Sequence, residues 1–157
     1  MRIVIVGGGF AGVKSALELA SKGFSDITLI SDTPYFLHHA TLYSTATGHD
    51  DGESVLYLKD LFSRFPSVKI VLDSMHSLNV SKKIVTCKYS SHNYDKLVIA
   101  IGAVTSYFSI SGAKSHVLGI KPLQEVKHFR NHIERSVNDK SLKKSSFFII
   151  GGGQTGV

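Results

Sequence analysis

The sequence predicts an α/β fold built on a parallel sheet, and three observations predict it. Ile3 to Val6, Ile27 to Ile30, Val68 to Leu72 and Leu97 to Ile101 are short apolar runs of the kind that fill a parallel strand buried on both faces. The first run breaks at Gly7-Gly8-Gly9 and passes directly into a helical pattern. One internal echo repeats this join: Ile5-Val6-Gly7-Gly8-Gly9-Phe10-Ala11-Gly12-Val13 returns as Ile149-Ile150-Gly151-Gly152-Gly153-Gln154-Thr155-Gly156-Val157.

The elements follow in chain order. After the strand Ile3 to Val6, a helix is expected from about Phe10 to Lys22, with Ala11, Ala16, Leu17 and Ala20 on its apolar face and Gly23 past its end. The strand Ile27 to Ile30 completes a βαβ unit, whose right-handed crossover makes its strands parallel. Ser31 to Gly52 is polar and aromatic, with no readable period. Leu58, Leu61, Phe62 and Phe65 recur at helical spacing and predict a short helix from Leu56 to Phe65, ahead of the strand Val68 to Leu72. From His76 to Tyr94 the pattern alternates, which predicts a small antiparallel meander turning at Ser81-Lys82-Lys83. A strand from Leu97 to Ile101 stops at Gly102. Ser106 to Lys121 is a crossing segment, and Pro122 opens a helix carrying Val126, Phe129, Ile133 and Val137 to about residue 138. Lys140 to Ser146 is a polar connector to a last buried strand, Phe147 to Ile150.

Composition sets the outer bounds. The chain has 157 residues, 43% hydrophobic and 19% charged, with 14 Gly and 3 Pro, which excludes disorder, collagen and coiled coil. Lys and Arg number 18 against 12 Asp and Glu, a net charge of +6 that would tolerate an anionic partner without selecting one. The mixed-sign stretch from Lys127 to Lys144 reads as a solvated helix face. Cys87 is the only cysteine, which rules out an internal disulfide framework and any CxxC pair within these residues. No apolar run reaches the length of a bilayer span, and Met1-Arg2 leads straight into a strand rather than a secretion signal. The chain as given reads as cytoplasmic, and no nucleic-acid partner is expected.

The glycines carry the chemistry. Gly7-x-Gly9-x-x-Gly12, between a strand and a helix, is a dinucleotide fingerprint of a Rossmann-like βαβ unit. The first glycine permits the tight turn. The second lets a pyrophosphate reach the backbone, and the third lets helix and strand pack closely. The phosphates then meet the helix N-terminus, whose N–H groups and dipole favour anions. Gly8, Phe10 and Ala11 complete this loop. An acidic group is wanted about twenty residues on, at the end of the second strand, to hold ribose hydroxyls. Ser31 and Asp32 both stand there, although Asp32 also suits a turn ahead of Thr33-Pro34. Gly151-x-Gly153-x-x-Gly156 repeats the fingerprint, so two dinucleotides are expected.

In these motifs the chain resembles the flavoproteins that join an FAD domain to an NAD(P)H domain. Three segments carry the resemblance: the loop Gly7 to Gly12, the run Tyr94-Asp95-Lys96-Leu97-Val98-Ile99-Ala100-Ile101-Gly102-Ala103, and the loop Gly151 to Gly156. The stretch Tyr35-Phe36-Leu37-His38-His39-Ala40-Thr41-Leu42-Tyr43, running into Ala46-Thr47-Gly48, is similar to type II NADH dehydrogenases. Members with a redox disulfide carry it in this region, where the present chain has no cysteine. Three positions depart from the pattern. The usual acidic residue aligns with Ser31, with Asp32 one place late; Ile101 stands for Thr, and Ala40 for Pro.

The resemblance implies hydride transfer from NADH (or NADPH) to FAD, then electron delivery to a quinone-type acceptor. It implies that Ala100 and Gly102 also line the cofactor site. His38 and His39 belong to a wall of the flavin pocket or to an ordinary polar loop. No side-chain nucleophile or general base is expected, and no Cys/His/Asp spacing supports zinc. Residues 1–110 are expected to form the N-terminal part of the FAD domain. Residues 111–157 are expected to hold a crossing segment and the first strand and glycine loop of a truncated NAD(P) domain. The chain thus reads as a fragment of an FAD-dependent oxidoreductase that is expected to be inactive on its own, and peripheral membrane association stays open for the full-length protein only. A non-catalytic dinucleotide-binding module, or another subfamily such as sulfide:quinone or ferredoxin reductase, is the alternative.

Overall fold

The computed structural model describes residues 1–139 and 146–152. They fall into two compact units, one of Met1–His38 with Val55–Ala103, the other of His39–Ser54 with the described part of Val104–Val157.

The first unit is organised by a four-stranded parallel sheet. Its strands are β1 (Ile3–Val6), β2 (Ile27–Ser31), β5 (Val68–Leu72) and β9 (Lys96–Ile99), in the order β5-β2-β1-β9. The helix α1 (Phe10–Ser21) follows β1. Its end is closed by Gly23 at φ +85°, with the Gly23 N–H on the Ala20 carbonyl and the Phe24 N–H on the Leu19 carbonyl. Only glycine enters this left-handed position at no cost, which is why the helix stops there. Gly12, Val13 and Ala16 are the buried residues of α1, whereas Ala11 is exposed.

The odd and even residues of β1 divide the core. Ile3 and Ile5 pack with Leu29, Val13, Ala16, Phe36, Leu58 and Phe62 on one face. Val4 and Val6 pack with Ile30, Val85, Cys87 and Tyr94 on the other. That second face is covered by the three-stranded antiparallel meander β6 (Met75–Asn79), β7 (Ile84–Cys87) and β8 (Ser91–Asn93). The meander turns where predicted, with Lys83 at φ +52° and the Lys82 N–H on Asn79 Oδ1. A two-stranded ribbon pairs β3 (Tyr35–Leu37) with β4 (Val55–Tyr57), and the short helix α3 (Leu58–Leu61) follows at once.

Three of the expected elements differ in the structure. The predicted helix from Leu56 begins as strand β4, because Tyr35, Phe36 and Leu37 supply a pairing partner that the local helical period does not reveal. The strand expected from Leu97 to Ile101 runs from Lys96 to Ile99, since the backbone leaves β1 after the Ala100 N–H has bonded the Val6 carbonyl. Phe147 to Ile150 is not a buried strand: the four side chains are 53%, 90%, 75% and 79% exposed. An apolar parallel strand needs neighbours on its edges, and no strand among the described residues pairs with it.

In the second unit, α2 (Leu42–Ala46) packs with α5 (Leu123–Asn138), and α4 (Ala113–His116) lies in the crossing segment. Pro122 stands one place before α5, as its N-cap, rather than in its first turn. Val126 is buried, Phe129 and Ile133 half-buried and Val137 exposed, so the predicted apolar face fades toward the helix end. Lys127 pairs with Asp51 at 2.5 Å.

Candidate functional site

The strand order creates the site. From β1 the chain moves outward through β2 to β5, then returns to place β9 on the other flank of β1. Ligands of open α/β sheets bind at such a reversal, beyond the carboxyl ends of the strands. The loop Gly7–Gly12 leaves β1 at that point, and Ala100 leaves β9 beside it. The Ala100 N–H donates to the Val6 carbonyl at 2.7 Å, and the Gly7 N–H to the Ile30 carbonyl at 2.8 Å.

The glycines divide into packed and open positions. Gly7 has φ +114°, and a Cβ there would overlap the Ala100 carbonyl oxygen. A Cβ on Gly12 would overlap the Gly7 carbonyl oxygen, and one on Gly8 the side chain of Ser31. Of the four glycines in this loop, Gly9 is the one with nothing within 4 Å of such an atom. It is also the N-cap of α1, with no side chain to satisfy the first turn and no acidic residue in that turn. The open glycine and the positive end of the helix therefore coincide, an arrangement that can receive a diphosphate. Phe10, half-exposed as the first residue of α1, sets its ring edge-on to Phe36 at 4.7 Å and at 5.7 Å from His38.

At the end of β2 the two ribose candidates part company. Ser31 is 2% exposed, and its hydroxyl donates to the Thr33 carbonyl at 2.8 Å. Asp32 is exposed. Ala100 is half-buried beside Gly7, and Gly102 is exposed at φ +74°. His39 begins a short 3-10 turn, His39–Thr41, in the second unit. Gly151, at φ +120°, is exposed, and Gly153 and Gly156 lie outside the described residues.

One buried carboxylate was not foreseen in the sequence. Asp73, just past β5, accepts hydrogen bonds from the N–H groups of Ser74, Lys88 and Tyr89 and from Ser90 Oγ, between 2.7 and 3.3 Å. Burial pushes its carboxyl up, but these hydrogen bonds together outweigh it and hold the group below its ordinary value. The carboxylate pins the β7–β8 turn to the end of β5. Cys87, buried beside it, has its thiol pushed up by burial and then by the Asp73 charge. Such a thiol is a poor nucleophile. In the second unit a cleft of about 280 Å³ is lined by Tyr107, Lys114, Glu125 and His128, among others. No helix among the described residues is long and apolar enough to cross a membrane.

Comparison with known proteins agrees with this geometry. Type II NADH:quinone oxidoreductase NdhA of Mycobacterium tuberculosis is 28% identical over 169 residues, covering 99% of this chain and 36% of the relative. The Staphylococcus aureus type II NADH:quinone oxidoreductase is 26% identical, covering 99% of this chain and 41% of its own length. The chain thus spans well under half of these curated relatives. Among solved structures, the sulfide:quinone oxidoreductase of Aquifex aeolicus superposes with a TM-score of 0.79 at 25% identity, over 88% of this chain and 33% of that one. NDH2 of Plasmodium falciparum, solved with NADH, gives a TM-score of 0.80 at 22% identity over 92% of this chain and 31% of that one, a likeness of fold. The profile of the pyridine nucleotide-disulphide oxidoreductases matches residues 1–157, and the chain belongs to that family.

Proposed function

We propose that this chain contributes the FAD-binding cradle of an NADH:quinone-type oxidoreductase. The observation that carries the reading is the division of the glycine loop. Gly7, Gly8 and Gly12 are occluded by protein atoms, while Gly9 faces open space at the start of α1. The backbone from Gly7 to Gly12 would hold the pyrophosphate. The exposed Asp32, rather than the internally bonded Ser31, would take the adenosine ribose. Ala100 and Gly102 would flank the cofactor from the β9 side. His39 and the second loop, Gly151, Gly153 and Gly156, are proposed for the flavin wall and the nicotinamide nucleotide.

The chemistry FAD supplies when bound is acceptance of a hydride from NADH and delivery of its electrons to a quinone-type acceptor. In this reading the chain's own residues bind and orient, and no acid, base or nucleophile is assigned among the described residues. NADH is favoured as donor over NADPH and sulfide because the curated relatives are NADH enzymes. A quinone acceptor is membrane-borne, so the reading includes work at a membrane surface, with the cytoplasmic face proposed.

The test is a titration of the chain with FAD, followed by flavin fluorescence; the donor is tested by NADH and NADPH oxidation, with an added quinone, in a protein that joins these residues to a complete nicotinamide-nucleotide domain, since residues 1–157 alone are expected to give no turnover. Saturable FAD binding that Gly9→Val abolishes is the expected result. Absence of FAD binding by the unaltered chain would overturn the reading, and a preference for NADPH would overturn the choice of donor.

A further inference from the structure

We propose that Ser31 is a positioning residue for nucleotide recognition: it locks the turn that presents Asp32 to the ribose and makes no ligand contact itself. The inference rests on the cradle reading above and adds a division of labour between two adjacent residues.

Hydrogen bonds fix the segment on both sides of Asp32. Ser31 Oγ donates its only proton to the Thr33 carbonyl at 2.8 Å and accepts from the Thr33 N–H at 3.3 Å, spanning Asp32 in a side-chain-closed turn. The Ser31 carbonyl is bound by the Asp73 N–H at 2.9 Å. Thr33 Oγ1 donates to the Tyr35 carbonyl at 2.9 Å, and the Pro34 carbonyl accepts from the Leu58 N–H at 3.0 Å. Asp32 and Pro34 are the exposed residues of this clasp, and of the two only Asp32 carries a group that can bond a hydroxyl.

Ser31 is itself closed to a ligand. It is 2% exposed, and the Gly8 backbone lies so close that a Cβ on Gly8 would overlap its Oγ and Cβ. A larger acidic side chain at position 31 would have to displace Gly8. The chain instead carries its carboxylate one residue later, on a turn the serine holds. A flexible surface carboxylate loses side-chain and backbone entropy when it grips two hydroxyls, and a locked turn removes part of that cost before binding.

Calorimetric titration of the chain with ADP and with 2′,3′-dideoxy-ADP tests the proposal, using S31A, D32N and the S31A/D32N double variant. D32N should raise the Kd for ADP about tenfold, the scale of losing a hydrogen bond to a charged group. S31A should approach the same loss although Asp32 is intact. Neither change should alter the Kd for dideoxy-ADP, and the double variant should bind ADP no more weakly than D32N. Circular dichroism melts confirm that each variant is folded. S31A binding ADP like the unaltered chain, or losing both ligands equally, overturns the positioning role while the cradle stands. Losses that multiply in the double variant also overturn it, because they describe independent contacts. D32N without effect removes the role of Asp32 and with it that of Ser31. Failure of the unaltered chain to bind ADP overturns both the cradle and the clasp.

Discussion

The Ala100 carbonyl oxygen occupies the space that any side chain on Gly7 would need, so the ends of β1 and β9 are joined by a contact only glycine allows. Gly7 is also held at φ +114°, where L-residues are strained. Gly7→Ala should therefore act on the fold before it acts on any ligand. We expect a loss of about 3 kcal/mol, combining backbone strain with overpacking. A chemical-denaturation curve on the variant measures it, and unchanged stability would contradict the close approach of the two strand ends.

Gly9 and Gly12 should respond oppositely to substitution. Gly9 has φ −84° and open space around its Cβ position, so Gly9→Val should fold with a melting temperature close to that of the unaltered chain and still fail to bind ADP. Gly12→Ala pushes a methyl into the Gly7 carbonyl and should lower stability by about 1–3 kcal/mol. Paired melts and calorimetric titrations separate the two; equal effects on stability would refute the division.

Asp73 should make the meander acid-sensitive. Its folded-state pKa lies below the ordinary value, so its contribution is present above the unfolded pKa and disappears as pH falls through the folded one. The window therefore opens below about pH 4. Asp73→Asn keeps the shape but weakens the acceptor for the N–H groups of Ser74, Lys88 and Tyr89. The variant should melt lower than the unaltered chain at pH 7, with the gap narrowing as the buffer is made more acidic. A gap constant from pH 7 to pH 3 would show that the carboxylate charge contributes nothing.

Cys87 should resist thiol reagents in the folded chain and react fully once unfolded. Its side chain is buried on β7, and burial with the Asp73 charge keeps the thiol protonated. A colorimetric thiol assay at pH 8, with and without denaturant, gives the comparison. Rapid labelling of the native protein would mean that β7 opens readily from the Val4, Val6 and Ile30 face.

The sequence by itself determined the parallel strands, the helix after Gly9 and the meander. Each of these is written in local terms: a short apolar run, a turn between alternating residues, or a glycine where the chain must reverse. Gly23 ending α1 and Lys83 turning the meander are decisions made within a few residues. Tertiary structure decided the rest, because those features depend on partners distant in sequence. Val55–Tyr57 is a strand only because Tyr35–Leu37 lies alongside it, and Phe147–Ile150, equally apolar, forms none among the described residues. The same holds at the candidate site. The sequence placed Ser31 and Asp32 side by side as candidates for a ribose. The Gly8 backbone above one and solvent around the other are what distinguish them, since a hydroxyl with one proton cannot both close a turn and donate to a ligand.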